Sequence, residues 1–175
     1  ALEFTDELTA RVSRVLRETG ITPSRLVLEL TEGIAIEKTG VLIDRLKDLK
    51  ALGVRLSIDD FGTGYSSLSY LSRFPLNDLK IDRSFVIDFN KSEADASLVS
   101  AIIAMGKSLN LKLVAEGVET REQYEFLTNQ GARIIQGYLF SKPVAADELL
   151  RLLEPSFFMP LISDLEGNGL RALSQ

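Results

Sequence analysis

The sequence contains no cysteine and no histidine, and these two absences remove many familiar catalytic chemistries. Without cysteine there is no disulfide, no thiolate nucleophile and no thiolate metal site. Without histidine, a Ser-His catalytic pair, histidine-ligated zinc and an imidazole acid or base are excluded. Any catalysis by this chain must therefore rest on carboxylates, amides, lysine and the ions that they bind.

Long apolar runs and an excess of positive charge are missing as well. The longest apolar candidate, 157–162, is far shorter than the ~20 residues that a membrane-spanning helix needs, and Pro160 interrupts it. The net charge of -5 argues against binding of a nucleic-acid polymer, which normally requires a basic face. A small anionic ligand remains compatible with this charge, because bound cations can invert the local sign. At 175 residues, the chain is typical of one globular domain.

Apolar periodicity alternates between helix and strand from Thr9 onward. The pattern predicts helices over 7–19, 42–49, 93–108, 120–131 and 147–153, and strands over 26–30, 54–58, 79–81, 111–115 and 134–135. A short helix is also predicted near Leu68. Repeated strand–helix units predict a parallel sheet, either doubly wound or closed into a barrel. A complete eight-stranded barrel needs ~250 residues, so a barrel built by this chain is short by roughly two or three units.

Polar side chains lie at the C-terminal end of each predicted strand or just after it. In chain order they are Glu29 and Glu32, Asp59 and Asp60, Lys80 and Asp82, Glu116 and Glu119, and Gln136. A single acidic residue after a strand is usually a helix cap or a solvated loop residue. Recurrence on successive strands instead predicts a site at the C-terminal mouth of a barrel, where barrel active sites lie.

The chemistry of this set points to metal ions. Clustered carboxylates repel one another unless a cation neutralises them, and oxygen-only ligands favour Mg²⁺, Mn²⁺ or Ca²⁺ over zinc. The adjacent Asp59 and Asp60 suit two metals, with one carboxylate bridging while its neighbour holds the second ion. The residues alone therefore predict a metal-dependent hydrolase of a phosphate ester, with the substrate left open.

Five segments together resemble the motif series of EAL domains, in the same order and at similar intervals. They read Leu-Glu-Leu-Thr-Glu at 28–32, Asp-Asp-Phe-Gly-Thr-Gly-Tyr-Ser-Ser-Leu at 59–68, Leu-Lys-Ile-Asp at 79–82, Val-Ala-Glu-Gly-Val-Glu-Thr at 114–120 and Gln-Gly-Tyr-Leu-Phe-Ser-Lys-Pro at 136–143. The resemblance runs from about 9 to 153. It implies an α/β fold, the EAL-type (β/α)8 TIM-like barrel, incomplete at its N-terminal side. We expect a partial EAL domain over 1–155 and an appendage over 156–175.

The resemblance also implies an activity and a set of roles. EAL domains hydrolyse cyclic di-GMP to linear pGpG with Mg²⁺ or Mn²⁺ at a two-metal site, and Ca²⁺ inhibits them. The resemblance assigns the metal ions to Glu29, Asp59, Asp60 and Glu116, and catalysis to Lys80, Glu116 and Glu119. It assigns substrate contacts to Gln136, Tyr138 and Pro143, with Tyr138, Phe140 and Pro143 equally able to pack the barrel end, and anchoring of the loop after Asp60 to Glu32.

One part of the family pattern has no match. The Glu-Ala/Val-Leu signature of the first barrel strand is absent from the chain, and so is a further asparagine ligand that would precede residue 7. We therefore expect two ligands of the first metal to lie outside this chain, and the chain alone to have little activity. The alternatives are a cyclic di-GMP-binding module that does not cleave its ligand and a dimerisation module without a ligand.

The resemblance carries three further expectations about the surroundings of the domain. The loop and helix after Asp60 are expected to form a homodimer contact. Sensor or GGDEF-type domains are expected upstream in the parent protein. The domain is expected to be cytoplasmic, whether or not the parent is anchored to a membrane.

Overall fold

The computed structural model describes residues 6–32, 39–62, 71–89 and 91–157. Six α-helices, one 3-10 helix and five β-strands lie wholly within these ranges. In chain order they are α1 (Asp6–Thr19), a 3-10 helix (Pro23–Arg25), β1 (Val27–Thr31), α2 (Thr39–Ala51), β2 (Arg55–Phe61), β3 (Asp78–Ile81), α3 (Arg83–Asp88), α4 (Glu93–Ser108), β4 (Lys112–Ala115), α5 (Arg121–Asn129), β5 (Ile134–Ile135) and α6 (Ala146–Leu152). The helix predicted near Leu68 lies outside the described residues, as does the appendage after 157.

The described strands form one five-stranded sheet in the order β1-β2-β3-β4-β5, and every neighbouring pair is parallel. Because sequential parallel strands lie side by side, each strand brings its C-terminal end to the same edge. The prediction of a parallel α/β fold is confirmed. The doubly wound alternative is not supported, since that arrangement reverses the strand order at a switch point.

The strand that carries the two aspartates runs further than its sequence pattern predicts. Strand β2 extends to Phe61, so Asp59 and Asp60 lie within the strand instead of after it. The pairing with β3 is irregular between Ile58 and Phe61, which marks a β-bulge, and Asp60 has a φ of 53°. The predicted end at Ile58 was wrong because two adjacent aspartates interrupt the apolar alternation that identifies a strand.

Apolar side chains from the helices and from the strands form two adjoining clusters, which pack the helices against the sheet. The first packs α1 and α2 on β1 and β2 and includes Leu8, Val12, Leu42, Leu46, Leu49 and Leu56. The second packs α3, α4 and α5 on β3 and β4 and includes Leu79, Ile81, Val86, Val99, Ile103, Leu113 and Leu127. Truncating one such fully buried leucine typically costs 2–5 kcal/mol, so the clusters fix the strands that carry the polar residues.

Helix ends follow the chemistry of their caps. Thr120 and Gln123 form the predicted capping box, in which the Thr120 hydroxyl accepts from the Gln123 amide and the Gln123 side chain accepts from the Thr120 amide. Helix α3 was not predicted, because its six residues are too few to show a period. Its start is fixed by Asp82, whose carboxylate accepts a hydrogen bond of 2.9 Å from the Ser84 amide. No helix among the described residues is long and apolar enough to cross a membrane.

Candidate catalytic site

A lysine lies at the centre of the polar groups at the C-terminal edge of the sheet. Lys80 belongs to β3, a strand buried along its whole length. Its ammonium group lies 2.7 Å from Glu116 Oε1, 3.0 Å from Glu29 Oε1 and 3.0 Å from Asp59 Oδ1. Three carboxylates contributed by β1, β2 and the segment after β4 therefore converge on one cation contributed by β3.

The register of the sheet explains this convergence. Thr31 is paired with Asp59, and Lys80 is paired with Val114, two residues before Glu116. Since side chains alternate between the two faces of a strand, Glu29 shares a face with Thr31, and Val114 shares one with Glu116. One face near the C-terminal edge is thus polar on four neighbouring strands, as the spacing of the sequence predicts.

The three ion pairs determine the charge of Lys80. Burial alone would lower the pKa of the ammonium, but the hydrogen bonds to Glu116, Glu29 and Asp59 outweigh burial and raise the pKa above its ordinary value. The lysine therefore remains a cation across the whole physiological range. It acts as a fixed positive charge, and not as a proton donor or acceptor near neutral pH.

The second aspartate of the pair meets a different partner. The carboxyl groups of Asp60 and Asp82 influence each other's pKa. Burial, together with the charges of Asp59 and Asp82, raises the pKa of Asp60. For Asp82, burial works to raise the pKa, but hydrogen bonds from Ser84 outweigh it and lower the pKa. Asp82 follows Lys80 by two residues. This spacing is the sequence signal that Asp82 belongs to the same polar site as Lys80.

Glu32 contacts the loop that follows β2. Its carboxylate is buried and accepts a hydrogen bond of 2.9 Å from the Gly62 amide. Gly62 has a φ of +98°, and a Cβ there would come within 2.7 Å of the Phe85 ring. The start of the loop therefore requires glycine, and Glu32 fixes that glycine to the end of β1. The rest of the loop, 63–70, lies outside the described residues.

Glu119 is not among the partners of the Lys80 ammonium. Its carboxylate accepts a hydrogen bond of 2.7 Å from the Arg83 guanidinium, while its amide donates to Gln123. The structure thus places Glu116 and Glu119 in one short segment with different partners. The sequence gives no indication of Arg83, because an exposed arginine after a strand belongs to no recognisable pattern.

The predicted substrate-contacting residues lie at the end of β5 and beyond it. The backbone N–H of Gln136 donates to the Ala115 carbonyl, and the backbone carbonyl of Gln136 accepts from the Val118 N–H. Tyr138 is half exposed, with the Lys142 ammonium 6.0 Å from its ring centroid, and Pro143 is exposed. Phe140 packs edge-on against Tyr124. The structure therefore places Phe140 against a helix and leaves Tyr138 and Pro143 exposed.

The donor set fits a hard divalent cation. Glu29, Asp59, Asp60 and Glu116 supply oxygen donors only, the class that Mg²⁺, Mn²⁺ and Ca²⁺ prefer, and together with Asp82 they outnumber the ammonium of Lys80. Among the described residues, however, no three acidic side chains are arranged as the ligands of one ion. Three of these carboxylates face Lys80 instead. Their chemistry suits a metal site, although their contacts in this structure are made with the ammonium.

A parallel barrel-type sheet with carboxylates and a lysine at its C-terminal edge defines a class of domain. The chain belongs to the EAL domain family, whose model matches residues 3–143. The chain is 48% identical over 151 residues to the bifunctional diguanylate cyclase/cyclic di-GMP phosphodiesterase MucR of Pseudomonas aeruginosa, covering 86% of the chain and 22% of MucR. It is 48% identical over 147 residues to the cyclic di-GMP phosphodiesterase NbdA of the same organism, covering 82% of the chain and 19% of NbdA. The chain thus spans about a fifth of the length of these relatives.

Solved structures agree with the family assignment. The PaMucR phosphodiesterase in complex with c-di-GMP matches with a TM-score of 0.81 and 48% identity, over 85% of this chain and 60% of that one. The EAL domain of Mycobacterium smegmatis DcpA matches with a TM-score of 0.80 and 40% identity, over 85% of this chain and 67% of that one. Klebsiella pneumoniae BlrP1 in a manganese and cyclic di-GMP complex matches at 35% identity with a TM-score of 0.73, over 79% of this chain and 36% of that one. The prediction of an EAL-type fold is confirmed.

Proposed function

We propose that this chain is part of the catalytic domain of a cyclic di-GMP phosphodiesterase, which adds water across one phosphodiester bond and releases linear pGpG. The observation that carries the proposal is the convergence of Glu29, Asp59 and Glu116 on Lys80 at the C-terminal edge of the sheet. Family membership and the phosphodiesterase names of the relatives support the same activity.

The proposed metal ligands are Glu29, Asp59, Asp60 and Glu116. Bound divalent ions, Mg²⁺ or Mn²⁺, would supply an activated water and stabilise charge on the reacting phosphate, whereas Ca²⁺ would inhibit. Of the metal complexes found among similar structures, those of BlrP1 contain manganese or calcium together with cyclic di-GMP. The oxygen-only donors of this chain suit both manganese and calcium. The activity assay therefore decides which ion supports hydrolysis and which inhibits it.

We assign the remaining residues to binding the substrate and orienting the attacking water. Lys80 is a permanent cation held among carboxylates, and we assign it to orienting the attacking water and neutralising charge on the phosphate. Glu119 and Gln136 complete the polar surface around water and substrate. Tyr138 and Pro143, which are exposed beyond β5, are assigned to a guanine base. Glu32 holds the loop at Gly62.

The full-length natural protein is the material for the test. Cyclic di-GMP is added with Mg²⁺, Mn²⁺ or Ca²⁺, pGpG is followed by chromatography, and binding is measured by calorimetry. Formation of pGpG with Mg²⁺ or Mn²⁺ but not with Ca²⁺ supports the proposal. Binding in every condition without pGpG would refute hydrolysis and favour the binding module. Absence of both binding and pGpG would favour a module for protein contacts.

Several expectations about the surroundings of the domain stay predictions. Most of the segment expected to form the dimer contact after Asp60, and the appendage over 156–175 from residue 158 onward, lie outside the described residues. The boundary at 155 falls where the chain turns helical again, because residues 155–157 are helical. Upstream sensor or GGDEF-type domains and a cytoplasmic location also stay predictions, to be checked in the natural protein.

A further inference from the structure

The segment that carries Glu116 and Glu119 is contacted from the β3 side by an arginine. Arg83 is the first residue of α3 and follows Asp82 directly. Its guanidinium lies 2.7 Å from Glu119 Oε1, and its aliphatic stem covers Gly117, where a Cβ would overlap the Arg83 stem. Gly117 has a φ of +68°, so its backbone conformation also favours glycine. Arg83 therefore contacts the segment through both its charge and its stem.

The same segment is packed from the other side by β5 and the turn after it. The Val118 amide donates to the Gln136 carbonyl over 3.1 Å, and Val118 is fully buried. A Cβ on Gly137 would overlap the backbone of Val118. The Glu116 amide is also tied to β3, through a hydrogen bond of 3.2 Å to the Ile81 carbonyl. The backbone of 116–119 is thus enclosed, while the exposed carboxylate of Glu119 has the Arg83 guanidinium to orient it.

We propose that Arg83 is a positioning residue for the reaction, which acts by fixing the carboxylate of Glu119 and the backbone that presents Glu116. The inference rests on the proposed function of these two glutamates. The Arg83 and Glu119 side chains are 55% and 39% exposed, and an exposed ion pair contributes little to stability. Orientation is a different quantity, because a displacement of about 1 Å at a reacting group can cost about a hundredfold in rate. Arg83 is therefore expected to influence turnover much more than folding.

The test compares Arg83→Met with Arg121→Met in the full-length natural protein. Methionine keeps an apolar stem over Gly117 but removes the charge. Arg121 is a matched control, since it forms a partly exposed ion pair of the same 2.7 Å length, but with Glu125 within helix α5. For cyclic di-GMP hydrolysis we expect Arg83→Met to lower kcat about tenfold or more with KM within about threefold, and Arg121→Met to change kcat less than about twofold. Arg83→Lys, which keeps the charge, should recover part of kcat.

A double-mutant cycle with Glu119→Gln shows whether Arg83 acts through Glu119. The double variant is expected to be no slower than Glu119→Gln alone, because the arginine then has no carboxylate to orient. Independent effects that multiply would overturn the proposal, and so would an Arg83→Met variant as active as Arg121→Met.

A second readout separates this proposal from the proposed function. In the absence of substrate, the amides of Val118 and Glu119 should exchange hydrogen faster in Arg83→Met than in Arg121→Met. A wild-type protein that produces no pGpG would refute the phosphodiesterase assignment, and the exchange experiment would still decide whether Arg83 positions the segment. Equal exchange in the two variants would overturn the positioning role regardless of the activity.

Discussion

Replacing Lys80 with methionine tests how strongly the carboxylate cluster depends on its central cation. Methionine retains most of the apolar stem, so the change removes mainly charge. The variant leaves Glu29, Asp59 and Glu116 close together without the ammonium that each contacts at 2.7–3.0 Å. Those carboxylates repel one another, and the free energy of unfolding is expected to fall.

The magnitude follows from the exposure of each partner. Removing one member of a buried ion pair costs about 3–5 kcal/mol, whereas an exposed pair is worth about 0–1 kcal/mol. The side chains of Glu116 and Asp59 are 17% and 22% exposed, and that of Glu29 is 47% exposed, so Glu29 contributes little. We therefore expect a loss near the lower limit for a buried pair, about 3 kcal/mol.

Urea unfolding of the 175-residue chain, followed by circular dichroism in EDTA, measures this loss. The matched control is Lys47→Met, because Lys47 pairs with Asp44 at the same 3.0 Å but with side chains 62% and 76% exposed. That control should cost at most about 0.5 kcal/mol. Adding MgCl₂ should restore part of the stability of Lys80→Met, since the uncompensated carboxylates bind the cation. A cost equal to that of the control would show that Lys80 is not the cation that holds the carboxylates together.

Three further outcomes are expected. In the full-length protein, Asp59→Asn should retain the wild-type circular dichroism spectrum but lose nearly all pGpG formation, and activity within a few-fold of wild type would exclude Asp59 as a metal ligand. Glu32→Ala should lower turnover and speed hydrogen exchange at Gly62, because the Gly62 amide then loses the carboxylate to which it donates a hydrogen bond, and unchanged exchange would remove the anchoring role. Gly137→Ala should lower the unfolding temperature, because the added Cβ overlaps the Val118 backbone. Gly40→Ala, which has open space around the added Cβ, should not lower it. Equal unfolding temperatures for the two variants would contradict the close packing of Gly137 against Val118.

The helices and strands were predictable where the apolar period is long or the caps are distinctive. Helix α4 occupies Glu93–Ser108, the predicted range, because sixteen residues give several turns of periodicity and Ser92 caps the first of them. Helix α3 has six residues and follows a strand directly, so its only local signal is the cap at Asp82. The apolar period of a helix becomes visible only over more than one or two turns. Helix α3 was therefore missed because it is short.

The candidate site was predictable to the extent that it follows from strand order. Parallel strands bring their C-terminal ends together, so the grouping of Glu29, Asp59, Lys80 and Glu116 follows once the strands are recognised. The partner of Glu119 does not follow from any such rule. Arg83 is 36 residues away along the chain, and its contact with Glu119 depends on the rotamers of two long side chains. Pairings of this kind become visible only in three dimensions.

The bulge at the end of β2 has a consequence for how many ligands a barrel mouth can present. In a regular strand, neighbouring side chains point to opposite faces, so each strand end offers the interior one residue in two. Here Asp59 contacts Lys80, while the pKa of the next residue, Asp60, is raised in part by the charges of Asp59 and Asp82 at the same polar edge. A single strand end therefore contributes two consecutive carboxylates. Deleting one residue from 59–61 would restore the regular alternation of side chains and leave one carboxylate at this strand end instead of two. We therefore expect a designed barrel that needs two carboxylates from one strand end to require a similar bulge.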